Sequence, residues 1–341
     1  MLLPPNINKR AQKLKTKTKE SISLLSAMVA TLGLVVAVAP GAATAMYPSH
    51  YSPTSTIYDN IPNHVPGNVP SVGFEATSTS EFGSQIKFSG NQRKNPTVTV
   101  LMSSWACKSG SWDKDNCITN PGSTFNHPVT LNVYNVNNDD SPGSLIESVT
   151  KTFTMPYRPT ADDGTNCNTA NGTAGEWWDG HQCNNGKTFP VSFDLKGTTL
   201  PDDAIVTVAY NTSDYGAHPL GDATACHATP QGCPYDSLNV GTNPTPSVGT
   251  SEPSANDAYV SSTWGGAYCD NGASGTGSLR LDAGCWTGYL PAIKVAAANG
   301  KGRHGHYPQY PRHDDHRYHH GDKDHHDRYG GFRGFYGLKQ S

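Results

Sequence analysis

Val129-Thr-Leu-Asn-Val-Tyr-Asn-Val136 alternates with a period of two, which places Val129, Leu131 and Val133 on one face, as a strand with one buried side requires. Ala204-Ile-Val-Thr-Val-Ala-Tyr210 follows a different rule. Ile205 falls out of phase with Val206 and Val208, the pattern of a strand covered on both sides. Similar runs recur in both directions from these two, at 71–77, 84–89, 97–103, 145–155, 188–195, 278–282 and 292–297, with turn-forming residues between them. No stretch after residue 45 keeps a helical period for ten residues or more. Nine strands without intervening helices predict an all-β chain: a single antiparallel β-sandwich or jelly roll over 71–298, with long loops at 156–187 and 212–257. Residues 46–70, rich in Pro, Ser, Thr and Asn, read as an extended lead-in.

Composition narrows the class. Of 341 residues 35% are hydrophobic and 16% charged, with 35 Gly and 25 Pro, which is loop-rich but still supplies a core. The glycines follow no collagen period, and a single apolar run excludes a polytopic membrane protein. That run lies in residues 1–45. A basic stretch from Lys9 to Lys19 precedes an apolar segment at 24–39, and Ala43-Thr-Ala45 follows Pro40-Gly41, the layout of a cleaved signal peptide. A retained signal anchor is the competing reading. Cleavage predicts a secreted or cell-surface product with no transmembrane segment. Six of the 25 basic and one of the 28 acidic residues leave with the signal, so 19 basic face 27 acidic, and specific nucleic-acid binding is not expected.

Eight cysteines, all beyond the signal, read as four disulfides in an exported chain. Pairing between neighbours is the expectation: Cys107 with Cys117, Cys167 with Cys183, Cys226 with Cys233, and Cys269 with Cys285. Each pair encloses a stretch too poor in apolar residues to hold its own shape. Within the Cys167–Cys183 loop, Trp177 and Trp178 beside Asp179 and His181 form the candidate ligand site, since tryptophans on a stapled loop can stack on a sugar ring. Packing of those rings over the sandwich is the alternative.

From residue 299 to 341 the composition changes. Eight of the 14 histidines lie here with almost no aliphatic residues, so a disordered tail is expected. His304, His306, His313, Asp314, Asp315, His316, His319, His320, His325 and His326 offer imidazole and carboxylate at short spacing, a donor set suited to Zn²⁺, Ni²⁺ or Cu²⁺. The tail carries 8 basic and 5 acidic residues, leaving 11 basic and 22 acidic in 46–298. A solubilising, pH-responsive tail is the alternative to a metal module. Asp113, Asp115, Asp139, Asp140, Asp162 and Asp163 sit in loop-like sequence and could hold a structural Ca²⁺.

Tyr58 to Gly90, reading YDNIPNHVPGNVPSVGFEATSTSEFGSQIKFSG, together with TVTVLMSSWACKSGSW at 97–112, SPGSLIESVTKTFTMPYRP at 141–159, CPYDSLNVG at 233–241 and YCDNG at 268–272, resembles a group of secreted, actinobacterial-type β-sandwich proteins without assigned activity. The strand, Pro-Gly-Ser-Leu, strand pattern at 129–155 is more loosely similar to extracellular jelly-roll domains of surface-anchored proteins. The resemblance implies a surface-type sandwich and carries over no catalytic residue.

Three functions follow from these features. A non-catalytic sandwich that binds glycan or another cell-envelope component, with a metal-binding tail, accounts for most of them. A carbohydrate-active enzyme would need paired carboxylates, for which Glu81, Glu147, Glu176 and Glu252 are the candidates by residue type. A structural envelope protein is the third. No catalytic residue is assigned.

Overall fold

A computed structural model describes residues 53–220, 232–263, 268–270 and 279–298. The signal segment, the histidine-rich tail with all its proposed metal ligands, and Cys226 lie outside the described residues. The described residues form fifteen strands: β1 (Thr54–Asp59), β2 (Ser71–Gly73), β3 (Thr79–Lys87), β4 (Lys94–Ser104), β5 (Thr124–Val136), β6 (Pro142–Pro156), β7 (Trp177–Trp178), β8 (Cys183–Asn184), β9 (Lys187–Asp194), β10 (Asp203–Ala209), β11 (Leu238–Gly241), β12 (Thr250–Glu252), β13 (Ala258–Ser262), β14 (Arg280–Asp282) and β15 (Ile293–Ala298). Among the described residues one α-helical turn, α1, spans Phe74–Thr77, beside short 3-10 turns.

Two antiparallel sheets form the body. One runs β1-β15-β4-β11-β2, with β9 along the other edge of β4; the second runs β14-β13-β3-β10-β5-β6, with β12 also on β3. Phe82, Ile86, Leu131, Val133, Val206 and Val208 from the second sheet share one apolar cluster with Val98, Val100, Met102, Phe193 and Val295 from the first. This is the packing of a sandwich, in which each sheet hides one face against the other.

The two stretches that opened the sequence behave as their patterns require. Val129, Leu131 and Val133 are fully buried. In β10 both faces are buried, Ile205 and Thr207 as completely as Val206 and Val208. A polar lattice covers the outer side: Glu81 Oε1 accepts from Asn132 Nδ2 at 2.8 Å, from the Tyr134 hydroxyl at 2.9 Å and from the Thr207 hydroxyl. Burial, reinforced by the Glu81 charge, holds the Tyr134 hydroxyl protonated well above the usual phenol range. At the open edge, Lys151 Nζ on β6 donates to the Ser192 carbonyl on β9 at 3.1 Å, and Phe153 meets Phe193 edge to face at 5.1 Å.

Some elements differ from expectation. The strand expected at 71–77 stops at Gly73 and becomes α1, because Phe74 must turn inward to stack on Tyr210, with ring centroids 4.0 Å apart. Thr77 Oγ1 donates to the Gly73 carbonyl at 2.8 Å and closes that turn. Part of the lead-in is strand β1, whose neighbours Ile57 and Tyr58 are both buried, so no alternation announces it. The stretch expected as one long loop from 212 to 257 contains β11 and β12. Strand β13, also unanticipated, is buried at all five positions.

Candidate functional site

Three of the four expected disulfides are present as paired: Cys107–Cys117, Cys167–Cys183 and Cys269–Cys285. Cys233 is also disulfide-bonded, while its expected partner Cys226 lies outside the described residues. The segments these bridges hold meet at the end of β4, β2 and β11, where they enclose a groove of about 660 Å³.

The groove lining comes from all four cysteine segments. Trp105 and Trp112 flank and occupy the Cys107–Cys117 loop, and their rings meet edge to face at 4.8 Å. Glu176, Asn184 and Asn185 come from the Cys167–Cys183 loop and the residues just after it. Asp236 and Ser237 follow Cys233, while Tyr268 and Tyr289 flank the Cys269–Cys285 bridge with centroids 5.3 Å apart. Ser71, Gly73 and Asn239 complete the lining from β2 and β11. A β-carbon at Gly73 would stand 2.8 Å from Asn239 Oδ1, so any larger residue would displace the Asn239 side chain from the groove lining.

Hydrogen bonds fix most of the polar groups. Asn239 Nδ2 donates to Ser71 Oγ at 3.0 Å, and Asn185 Nδ2 donates to Glu176 Oε1 at 2.8 Å. Asp236 caps the 3-10 turn Pro234–Ser237: it accepts from the Ser213 amide at 2.9 Å and the Cys233 amide at 3.0 Å. The Gly73 amide donates to the Tyr268 hydroxyl at 3.2 Å, and desolvation raises that hydroxyl above the ordinary phenol value. Behind Glu176, the fully buried Arg158 donates from Nη2 to the Gly175 carbonyl at 2.6 Å; burial pulls its guanidinium down to about 10 against the opposing pull of Glu176.

The tryptophan pair proposed from the sequence does not form a single platform. Strand β7 sends the two side chains to opposite faces, so Trp177 is buried at 5% exposure and donates its indole N–H to the Gly186 carbonyl at 2.7 Å, while Trp178 is 39% exposed. Lys187 Nζ sits 4.9 Å over the Trp177 ring. Asp179 spends its carboxylate on the amides of His181 and Gln182, each at 2.8 Å. Trp177, Asp179 and His181 instead line a second groove of about 570 Å³ together with His64, Pro66 and Lys187.

The four candidate glutamates do not converge. Glu81 belongs to the lattice over β10, Glu147 accepts from Thr198 Oγ1 at 2.7 Å, and Glu252 lies at a different depression beside Asp140 and Asp203. Of the four, Glu176 lines the aromatic groove. Four of the six loop aspartates, Asp113, Asp139, Asp162 and Asp163, close their own turns. Asp162 Oδ1 accepts from the amides of Gly164, Asn166 and Cys167, which holds its carboxyl below the usual range, and Asp139 does the same with Ser141. Among the described residues no three His, Cys, Asp or Glu side chains come together to hold a metal ion.

Trp105, Trp112, Tyr268 and Tyr289 are the residues that sequence reasoning missed. The signal was the one applied to Trp177: an aromatic ring beside or between paired cysteines. Set beside family models, characterised proteins and solved structures, the chain matches none of them.

Proposed function

We propose that the protein is a secreted, non-catalytic sandwich that binds glycan of the cell envelope or extracellular matrix through the aromatic groove. The observation that carries this reading is the convergence of four cysteine segments on one concavity lined by Trp105, Trp112, Tyr268, Tyr289 and a set of amide side chains. Sugar rings present apolar C–H faces for stacking and hydroxyls for amide and carboxylate partners, so this lining matches their chemistry. Disulfides reduce the ordering cost of binding by holding the loops in place beforehand. Three disulfides fit an oxidising compartment, and no helix among the described residues is long and apolar enough to cross a membrane.

Retention on immobilised polysaccharides and titration with soluble oligosaccharides test the reading. Trp112→Ala should weaken binding by roughly tenfold or more, the loss of one stacked ring. Trp178→Ala should leave it unchanged. The reverse pattern would move the site to the second groove, and no retention on any glycan would end the glycan reading.

The histidine-rich tail supports a second element of the proposal, carried by its sequence: binding of Zn²⁺, Ni²⁺ or Cu²⁺ through His304 to His326. Titration of the protein with and without residues 299–341 tests it. Binding that disappears with the tail and weakens on mild acidification is the expected result; equal binding by both forms would remove it.

A further inference from the structure

The groove's charge is one-sided. Its lining includes two carboxylates, Glu176 and Asp236, and no Lys, Arg or His. The nearby cations have partners of their own: Lys114 Nζ lies 3.1 Å from Asp113 Oδ2, Lys108 lies over the Tyr157 ring, Lys187 lies over the Trp177 ring, and the buried Arg158 stands behind Glu176 without lining the groove. Residues 46–298 carry 22 acidic against 11 basic side chains, so the surrounding field is also negative. The second groove, with His64, His181 and Lys187 around Asp179, has no such bias.

Resting on the glycan reading above, we infer that the groove's ligand is an amine-bearing glycan, a chain containing de-N-acetylated hexosamine, rather than a neutral or anionic one. Aromatic faces attract cations through their quadrupole, and they do so most strongly where carboxylates stand nearby and the site is partly desolvated. Trp105 with Trp112 and Tyr268 with Tyr289 supply those faces. Glu176 and Asp236 together supply the countercharge, with Asn185 on Oε1 of Glu176 and the buried Arg158 behind that carboxylate. A uronic acid or phosphate-bearing glycan would meet Glu176 and Asp236 with like charge, which selects against it.

The test is calorimetric titration of the full chain with three tetrasaccharides: glucosamine, N-acetylglucosamine and galacturonic acid. The amine-bearing tetramer should bind about tenfold tighter than the acetylated one, the size of a partly desolvated cation–π and carboxylate contact, and the uronate should not bind measurably. About 0.5 M salt, which screens charges within a few ångströms, should narrow the preference. Glu176→Gln retains the acceptor for Asn185 and removes one of the two carboxylates, so the ratio of the amine affinity to the acetylated affinity should fall severalfold; an unchanged ratio would overturn the inference. An acetylated tetramer that binds as well as or better than the amine, with loss in Trp112→Ala, would overturn this inference and leave the glycan reading intact. Binding by none of the three would defeat this inference, and failure of a wider panel of neutral polysaccharides would then defeat the glycan reading as well.

Discussion

Between the sheets, Phe82, Leu131, Val206 and Val295 are fully buried and belong to one cluster that joins four strands. Around the groove, Trp112 and Tyr268 remain 38% and 40% exposed and stand on segments whose ends are tied by sulfur. The first region gains its order from apolar area removed from water, and the second gains it from covalent closure of chains that have little to bury. The body should therefore tolerate change at the groove, while the groove depends on both its own staples and the body beneath.

The largest effect should come from the body. Phe82→Ala, which empties a site packed against Trp286 at 5.4 Å, should cost about 3 to 5 kcal/mol in chemical denaturation. Replacing Cys107 and Cys117 together with Ala should cost about 3 kcal/mol at most, since the bridge closes a separation of only 10 residues. The informative contrast is elsewhere. The cysteine variant should keep its β-type circular dichroism and lose glycan binding, because the Trp112 loop is no longer held. Retained binding in this unbridged variant would break the division between the two regions.

How far each region could be read beforehand follows the same physics. Strands such as 129–136 and 204–210 declare themselves because burial of one or both faces dictates the identity of successive residues. Strand β1 and strand β13 did not: their pairing partners, β15 and β3, are distant in sequence, and their own residues do not alternate. The disulfide pairs were legible because loop composition demanded them. The groove was not, since it is assembled from residues between 68 and 289 and no local pattern reports that Trp112, Glu176, Asp236 and Tyr268 line one cavity. Trp177 and Trp178 were divided for a smaller reason: two adjacent residues in a strand point to opposite faces, and periodicity alone does not say which one is inside.

A middle-sized effect links the regions through pH. His127 on β5 stacks on Tyr235 at 4.6 Å, next to Asp236 in the groove lining, and its Nε2 is 2.8 Å from the Asn211 carbonyl. Burial holds its pKa below the ordinary 6.5, against the opposing pull of the Asn211 carbonyl and the Asp236 charge. Between the lowered folded value and 6.5 the unfolded chain takes up a proton that the folded chain refuses. Stability is therefore lost as pH falls below about 6.5 and stops falling once the folded histidine also titrates. His127→Phe keeps a ring on Tyr235 and should flatten that slope in melts across mildly acidic pH, at a cost of about 1 kcal/mol for the missing hydrogen bond. An unchanged slope would show that His127 is not the linking group.

The smallest effect concerns Glu75, in the turn α1 where the body gives way to the groove. Burial, and then the charges of Asp236 and Asp214, raise its carboxyl above 4.5 despite a hydrogen bond from Thr212. As pH rises past about 4.5 the unfolded chain releases this proton before the folded one does, so ionisation of Glu75 works against folding and the penalty persists at neutral pH. Glu75→Gln removes the charge while keeping an acceptor for Thr212, and it should stabilise the protein at pH 7. The gain should be less than about 1 kcal/mol, because a half-buried group is screened by solvent, and it should vanish below about pH 4, where both states of the native carboxyl are protonated. A variant that is instead less stable at pH 7 would mean that Glu75 makes a favourable charged contact, and that the junction of body and groove is held by its carboxylate rather than in spite of it.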